Sequence, residues 1–159
     1  MKRLIRAFDF PIRVFFVVLF FAFASSFAEV APKAESAERA VIALQETLSQ
    51  NFSYCDVYYE EALNRIYVRI AVDGLADLAN TLIEAGYDET FEAWAEYKEN
   101  VITMYDALLE YVQTNYQEDL TMTFHLVNDQ DTSRHLITIN GGTKTVFDIL
   151  EFQSTMNQK

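Results

Sequence analysis

Two histidines and two acids lie in one stretch of the sequence and could support acid–base or metal chemistry. His125 and His135 flank the polar run that holds Asp129 and Asp131. An imidazole exchanges protons near neutral pH, and imidazole and carboxylate groups are both common metal ligands. A small exported hydrolase that uses a histidine and a carboxylate is therefore one hypothesis for this chain.

The alternation of side chains in the two flanking segments argues against a shared histidine site. His125 is in phase with Thr121 and Thr123, which we expect on the solvent side of a strand. His135 is in phase with Ile137, which we expect on the apolar side. Successive side chains of a strand point to opposite faces, so this phase predicts the two rings on opposite faces of a sheet. We accordingly predict no catalytic residue here.

The polar run 129–133 also begins like a calcium-binding loop, with oxygen ligands at alternate positions. It then departs from that pattern. Arg134 stands where a glycine is needed for the sharp turn, and Asn140 replaces the closing glutamate. A polar loop between two strands explains these residues better, so we predict no metal site.

The rest of the sequence offers little for covalent or cofactor chemistry. Cys55 is the single cysteine, so the chain has no internal disulfide and its core must suffice without one. A lone cysteine can act as a nucleophile, but the position of Cys55 in an alternating segment favours a small apolar side chain packed in a sheet. Phosphate-binding glycine loops, Gly-x-Ser-x-Gly, His-Glu-x-x-His and Cys-x-x-Cys are all absent, and we predict no cofactor.

A group of tyrosines and arginines gives the strongest indication of a binding surface. Arg65, Tyr67 and Arg69 share one face of an alternating segment, and Tyr54 and Tyr58 share one face of the segment before it. Tyrosine and arginine are enriched among the residues that dominate protein interfaces. These five residues are our predicted ligand-binding set, with protein or peptide as the expected partner. Ordinary cross-strand packing is the alternative explanation.

Hydrophobic periodicity predicts the elements that position these residues. Apolar side chains recur every three or four residues in three predicted helices and alternate in the predicted strands. The helices are predicted near 36–50, 75–86 and 88–116, and the strands near 51–59, 65–72, 120–126 and 134–139. Residues 143–149 either add a fifth strand or begin a last helical turn.

These elements predict an α+β fold in which an antiparallel sheet of four or five strands carries three helices on one face. The result is a two-layer sandwich with one open sheet face. Each half reads as a helix followed by two strands, so a duplicated α-β-β unit is a further hypothesis. We predict a single domain over 35–152 and a frayed polar tail over 153–159.

The first residues have the pattern of a cleavable secretory signal, predicted over 1–28 and followed by a flexible leader over 29–34. Four basic residues precede an uncharged apolar run, 14–24, and the small residues Ser26 and Ala28 suit signal peptidase. A permanent anchor is the alternative, but the apolar run to Ala28 has 15 residues, whereas a membrane span takes about 20. We predict a secreted or extracytoplasmic protein without stable membrane association after cleavage.

The charge of the chain narrows the choice of partner. The formal net charge is −12, and removing the four bases and one acid of the signal leaves −15. Binding to nucleic acid or to anionic lipid requires the opposite sign, so both are disfavoured. A non-catalytic binding module with an open sheet face is our leading hypothesis. The alternatives are the small hydrolase and a self-associating structural domain, in which the first helix or a strand edge forms a homo-oligomer.

Overall fold

A computed structural model describes residues 36–141 and 145–157. The predicted signal and leader lie outside the described residues. Within that part of the chain, no helix is long and apolar enough to cross a membrane. In chain order the elements are α1 (Ser36–Ser49), β1 (Tyr54–Glu60), β2 (Arg65–Ala71), α2 (Leu75–Glu84), α3 (Glu92–Asn115), β3 (Thr121–Val127), β4 (His135–Asn140), β5 (Thr145–Asp148) and α4 (Ile149–Asn157).

The α+β class is confirmed, and the described residues contain four α-helices rather than the predicted three. The extra helix arises at the C-terminal end, where residues 143–149 were predicted to form either a strand or a helical turn. Both occur there, because β5 ends at Asp148 and α4 begins at the next residue. α4 continues to Asn157, so it overlaps the predicted polar tail from Gln153.

The five strands form one mixed sheet in the order β1-β2-β3-β4-β5. The predicted antiparallel arrangement holds for β1–β2, β3–β4 and β4–β5, but it is wrong for β2–β3, which pair in parallel. The cause is the connection between these two strands. Parallel neighbours need a long crossover, which α2 and α3 supply. α3 alone has 24 residues, about 36 Å of helix at 1.5 Å per residue, enough to return the chain past the length of β2.

Strand alternation divides the sheet into two faces. The core face is apolar apart from one acid, and its strand residues are Cys55, Val57, Tyr59, Ile66, Val68, Ile70, Met122, Phe124, Leu126, Ile137, Ile139, Val146 and Asp148. The open face is polar and aromatic, and its residues are Tyr54, Asp56, Tyr58, Glu60, Arg65, Tyr67, Arg69, Ala71, Thr121, Thr123, His125, Val127, His135, Thr138, Asn140 and Phe147.

The helices pack on the core face. Buried side chains from all four described helices join the core-face side chains in one apolar cluster. The inner face of α3 is buried, and it includes Trp94, Val101, Tyr105, Leu108 and Val112. The residues of the open face are half-buried or exposed except for Ala71, Thr123 and Val127. The sheet therefore has one covered face and one face that carries polar and aromatic side chains.

Candidate binding surface

All five predicted ligand-binding residues lie on the open face of β1 and β2. The register pairs Tyr58 with Tyr67, and their rings stack with centroids 4.9 Å apart and planes 7° from parallel. Tyr54 lies two residues before Asp56 on the same face of β1. Tyr58 is 44% exposed, so one ring of the stacked pair is open to solvent.

The stack continues into the second hairpin. The ring of Tyr67 lies 6.4 Å from that of His125, with planes 14° apart, and the ring of His125 lies 4.2 Å from that of His135, with planes 31° apart. Tyr58, Tyr67, His125 and His135, here called the ring row, thus cross β1, β2, β3 and β4. The row carries two phenol hydroxyls and two imidazole groups on the open face of the sheet.

The prediction that the two histidines lie on opposite faces is wrong. Leu126 pairs with Ile137 and Val127 pairs with His135, so Leu136 is an extra residue in β4. Such a bulge breaks the alternation of the strand. Leu136 and Ile137 are both buried in the apolar cluster, which turns His135 to the open face. Two consecutive apolar residues within an alternating strand were the signal for this bulge in the sequence.

One threonine hydroxyl connects the two imidazoles. Thr138 Oγ1 lies 2.9 Å from Nδ1 of His125 and 3.3 Å from Nδ1 of His135. His125 and Thr138 are directly opposite each other in the β3–β4 register. The hydroxyl therefore fixes the orientation of both rings in the row.

The surroundings of the histidines favour their neutral forms. Burial, with smaller contributions from the charge of His135 and Arg69, lowers the pKa of His125 from its ordinary value of 6.5 to about 4. Burial and the charge of Arg69 also lower the pKa of His135. At neutral pH both rings are uncharged, so each carries a proton on one nitrogen only.

Arg69 fastens the β3–β4 loop to the open face. Its guanidinium forms an ion pair with Asp56 at 3.3 Å, donates to the carbonyl oxygen of Thr132 at 2.7 Å, and lies 5.8 Å from the centre of the Tyr54 ring. These two hydrogen bonds use one N–H of each terminal nitrogen. Arg69 therefore positions the surface, and Tyr54 is partly covered by it.

Arg65 is less constrained than Arg69. Its Nε donates to the Thr121 hydroxyl at 3.3 Å, and Glu60 lies opposite it in the register. Among the described residues, no hydrogen bond involves its two terminal nitrogens. Arg65 is half-exposed beside Tyr67, so its guanidinium is placed to meet a ligand on the open face.

Thr123 lies on the open face beside the ring row. It is opposite Tyr67 on one side and Asn140 on the other, and it is 4% exposed. Among the described residues, its hydroxyl oxygen is the one buried side-chain nitrogen or oxygen without a hydrogen-bond partner. Leaving such a group unpaired in a protein interior costs about 1–3 kcal/mol.

The groups considered for the hydrolase hypothesis are the two histidines, the carboxylates and Cys55. No hydrogen bond or ion pair joins either histidine to a carboxylate in the described ranges. Cys55 lies on the core face, away from the ring row, and burial together with the charge of Asp56 raises its pKa to about 11. The reactive form of cysteine is the thiolate, so Cys55 is a weak nucleophile at neutral pH.

The acids of the β3–β4 loop have structural roles. Asp129 accepts hydrogen bonds from the backbone N–H groups of Gly74 and Ala76 at 2.9 and 3.1 Å, which caps the start of α2. Asp131 accepts from both the backbone and the hydroxyl of Ser133. Across residues 36–141 and 145–157, no group of three or more histidine, cysteine or acidic side chains is placed to hold a metal ion.

A buried charged cluster lies beneath the sheet, on its core face. Asp148 accepts from the indole N–H of Trp94 at 3.0 Å and from the backbone N–H of Leu150 at 2.9 Å, and it forms an ion pair with Lys98 at 3.0 Å. The Asp148 side chain is fully buried. The cluster joins β5, α3 and α4. Because Asp148 is enclosed by these partners, we assign the cluster a structural role.

The outer edge of β1 is blocked by a side chain of α1. The Gln45 amide donates to the carbonyl oxygen of Cys55 at 3.1 Å and accepts from the N–H of Val57 at 2.9 Å. A residue of a neighbouring parallel strand would make the same two bonds. Gln45 thus takes the place of an added strand, an arrangement that protects the edge from pairing with another chain.

We expect Gln45→Ala to lower the free energy of unfolding by about 1–2 kcal/mol and to increase self-association, because it frees two strand groups at an open edge. Thermal unfolding and concentration-dependent sedimentation measure the two effects. Glu46→Ala, at an exposed neighbouring position of α1, is the matched control and should change neither. Equal behaviour of the two variants would show that Gln45 does not protect this edge.

No protein-family model, curated protein or solved structure matches the chain.

Proposed function

We propose that this chain is an exported, non-catalytic binding module whose open face engages a peptide segment of a partner protein. The observation that carries the proposal is the ring row, in which four aromatic side chains from four strands form one continuous surface. The export signal and the charge of the chain support an extracytoplasmic partner that is neither nucleic acid nor anionic lipid.

The composition of the ring row suits a peptide. Tyrosine supplies contact area at low entropic cost and ends in a hydroxyl that forms hydrogen bonds. The histidine edges add nitrogens, and Arg65 adds a planar group with several donors. A peptide combines apolar side chains with regularly spaced amide groups, and such a surface can contact both.

The surface is also held in place before any ligand arrives. Stacking fixes the rings, Thr138 orients the imidazoles, and Arg69 secures the adjacent loop. Binding to a pre-ordered surface requires less loss of side-chain freedom.

The test is the selection of binding peptides from a random displayed library against the full chain, followed by affinity measurements on variants. We expect Tyr67→Leu and Arg65→Gln each to weaken the selected peptides by about 30-fold or more, as is usual for interface hot spots. Both substitutions keep side-chain bulk, so thermal stability should remain close to that of the unchanged protein.

The matched control is Ile42→Ala, which removes an exposed apolar side chain from α1 in the helix layer. It should leave peptide affinity unchanged. Peptides that bind the open-face variants and the unchanged protein equally would place the site elsewhere and contradict the proposal. A library that yields no specific peptide would contradict it as well.

A further inference from the structure

The shared hydroxyl of Thr138 constrains where the two imidazoles of the ring row carry their protons. A hydroxyl has one proton to donate, yet Thr138 Oγ1 lies within hydrogen-bond distance of Nδ1 in both His125 and His135. Among the described residues, Thr138 Oγ1 has no other hydrogen-bond partner. The hydroxyl can donate to at most one of the two rings. When it does so, the other ring reaches the hydroxyl oxygen only by donating its own Nδ1 proton.

We propose that Thr138 holds His125 and His135 as opposite neutral tautomers, so that the open face displays one imidazole N–H donor beside one imidazole acceptor. The ring that accepts at Nδ1 carries its proton on Nε2, and the ring that donates at Nδ1 has a lone pair on Nε2. Among the described residues, neither Nε2 has a hydrogen-bond partner. Centroids 4.2 Å apart keep the two groups adjacent.

This donor and acceptor pair matches an amide group. A residue in an extended peptide directs its own N–H and C=O to the same side, as it does when it exchanges both bonds with a neighbouring strand. The two Nε2 atoms are therefore placed to bind the backbone of a single extended residue. This inference rests on the proposed function and deepens it, since it assigns the histidine end of the ring row to the peptide backbone and leaves the tyrosine end for side chains.

Two features of the surroundings favour a stable pair of tautomers. The rings are half-buried, which limits competition from water for the Nδ1 atoms. The guanidinium of Arg69 is close enough to disfavour a positive charge on either ring. Protonation of the ring that has a lone pair on Nε2 would turn this acceptor into a donor and destroy the match to an amide.

The tautomers can be read directly from long-range nitrogen–proton NMR spectra of the uniformly nitrogen-15-labelled full chain at about pH 7.5, where both rings are neutral. We expect one ring with its proton on Nδ1 and the other with its proton on Nε2. Thr138→Ser keeps the hydroxyl and should keep this difference, whereas Thr138→Val should abolish it. His125→Gln and His135→Gln assign the signals. Two identical tautomers in the unchanged protein would overturn the proposal.

The amide preference is tested with 2-pyrrolidone, whose N–H and C=O lie side by side, and with its N-methyl derivative, which lacks the donor. We expect 2-pyrrolidone to shift the histidine ring signals at least about threefold more than the methylated compound, because only it satisfies both nitrogens. The difference should disappear in Thr138→Val. Equal shifts of the histidine signals by the two compounds would refute the amide assignment. Displayed peptides could still bind through Tyr67 and Arg65 in that case, so this result is distinct from failure of the proposed function.

Discussion

Replacing Asp148 with alanine is expected to lower the free energy of unfolding by about 3–5 kcal/mol, the range seen when one partner of a buried ion pair is removed. The carboxylate has no exposed surface, while the Lys98 side chain is only 20% exposed. The substitution leaves that ammonium group without its partner. It also leaves the buried indole N–H of Trp94 and the backbone N–H of Leu150 without an acceptor. Chemical denaturation with urea measures the loss.

A graded series separates the charge from the hydrogen bonds. Asp148→Asn keeps a hydrogen-bond acceptor for Trp94 but removes the negative charge, so we expect a smaller loss than for alanine. Glu151→Gln changes an exposed acid three residues further along and should alter stability by less than about 0.5 kcal/mol. If Asp148→Ala costs no more than Glu151→Gln, the cluster does not stabilise the fold.

The faces of the first hairpin could be predicted from the sequence because the alternation there is regular. Ile66, Val68 and Ile70 are buried without exception, and Arg65, Tyr67 and Arg69 lie on the other face. A shift of one residue would have exposed every apolar side chain of the strand, so the pattern admits a single solution. The predicted binding residues of β1 and β2 therefore fell on one surface.

The direction of the second hairpin relative to the first could not be read from either hairpin. Local alternation is the same for a parallel and an antiparallel neighbour, and only the path of the connecting chain distinguishes them. Two helices, rather than a short turn, separate β2 from β3, and that length is what allows the parallel pairing. The sequence predicted both of these helices, but the prediction of an antiparallel sheet did not take into account that they form a crossover long enough for parallel pairing.

The histidine half of the ring row was missed for a different reason. Strict alternation places His135 beneath the sheet, and a single extra residue, Leu136, reverses that placement. Bulges follow from packing with the partner strand, which one strand's sequence shows only as two adjacent apolar residues. The contact between the histidines and Thr138 depends on this reversal, so the sequence alone could not indicate a shared hydroxyl.

Acidification is expected to destabilise the protein through the same histidine pair. Both folded-state pKa values lie below the unfolded value of about 6.5, so the unfolded chain binds more protons. The stabilising contribution is therefore complete above about pH 6.5 and is lost as the pH falls toward about 4. Allowing for solvent screening of half-buried rings, we expect a loss of about 1–2 kcal/mol between about pH 7 and pH 5.

The groups that face the pair define the controls for this pH dependence. Arg69 opposes protonation, and Asp56 partly neutralises Arg69 through their ion pair. His125→Gln removes the ring whose pKa is shifted further. The free energy of unfolding of this variant should therefore change less than that of the unchanged protein between about pH 7 and pH 5. Most carboxylates titrate below about pH 5, which leaves the histidines as the main contributors within it. Urea denaturation measures the free energy of unfolding of both proteins at each pH. If it falls equally for His125→Gln and for the unchanged protein, the histidine pair does not cause the pH dependence.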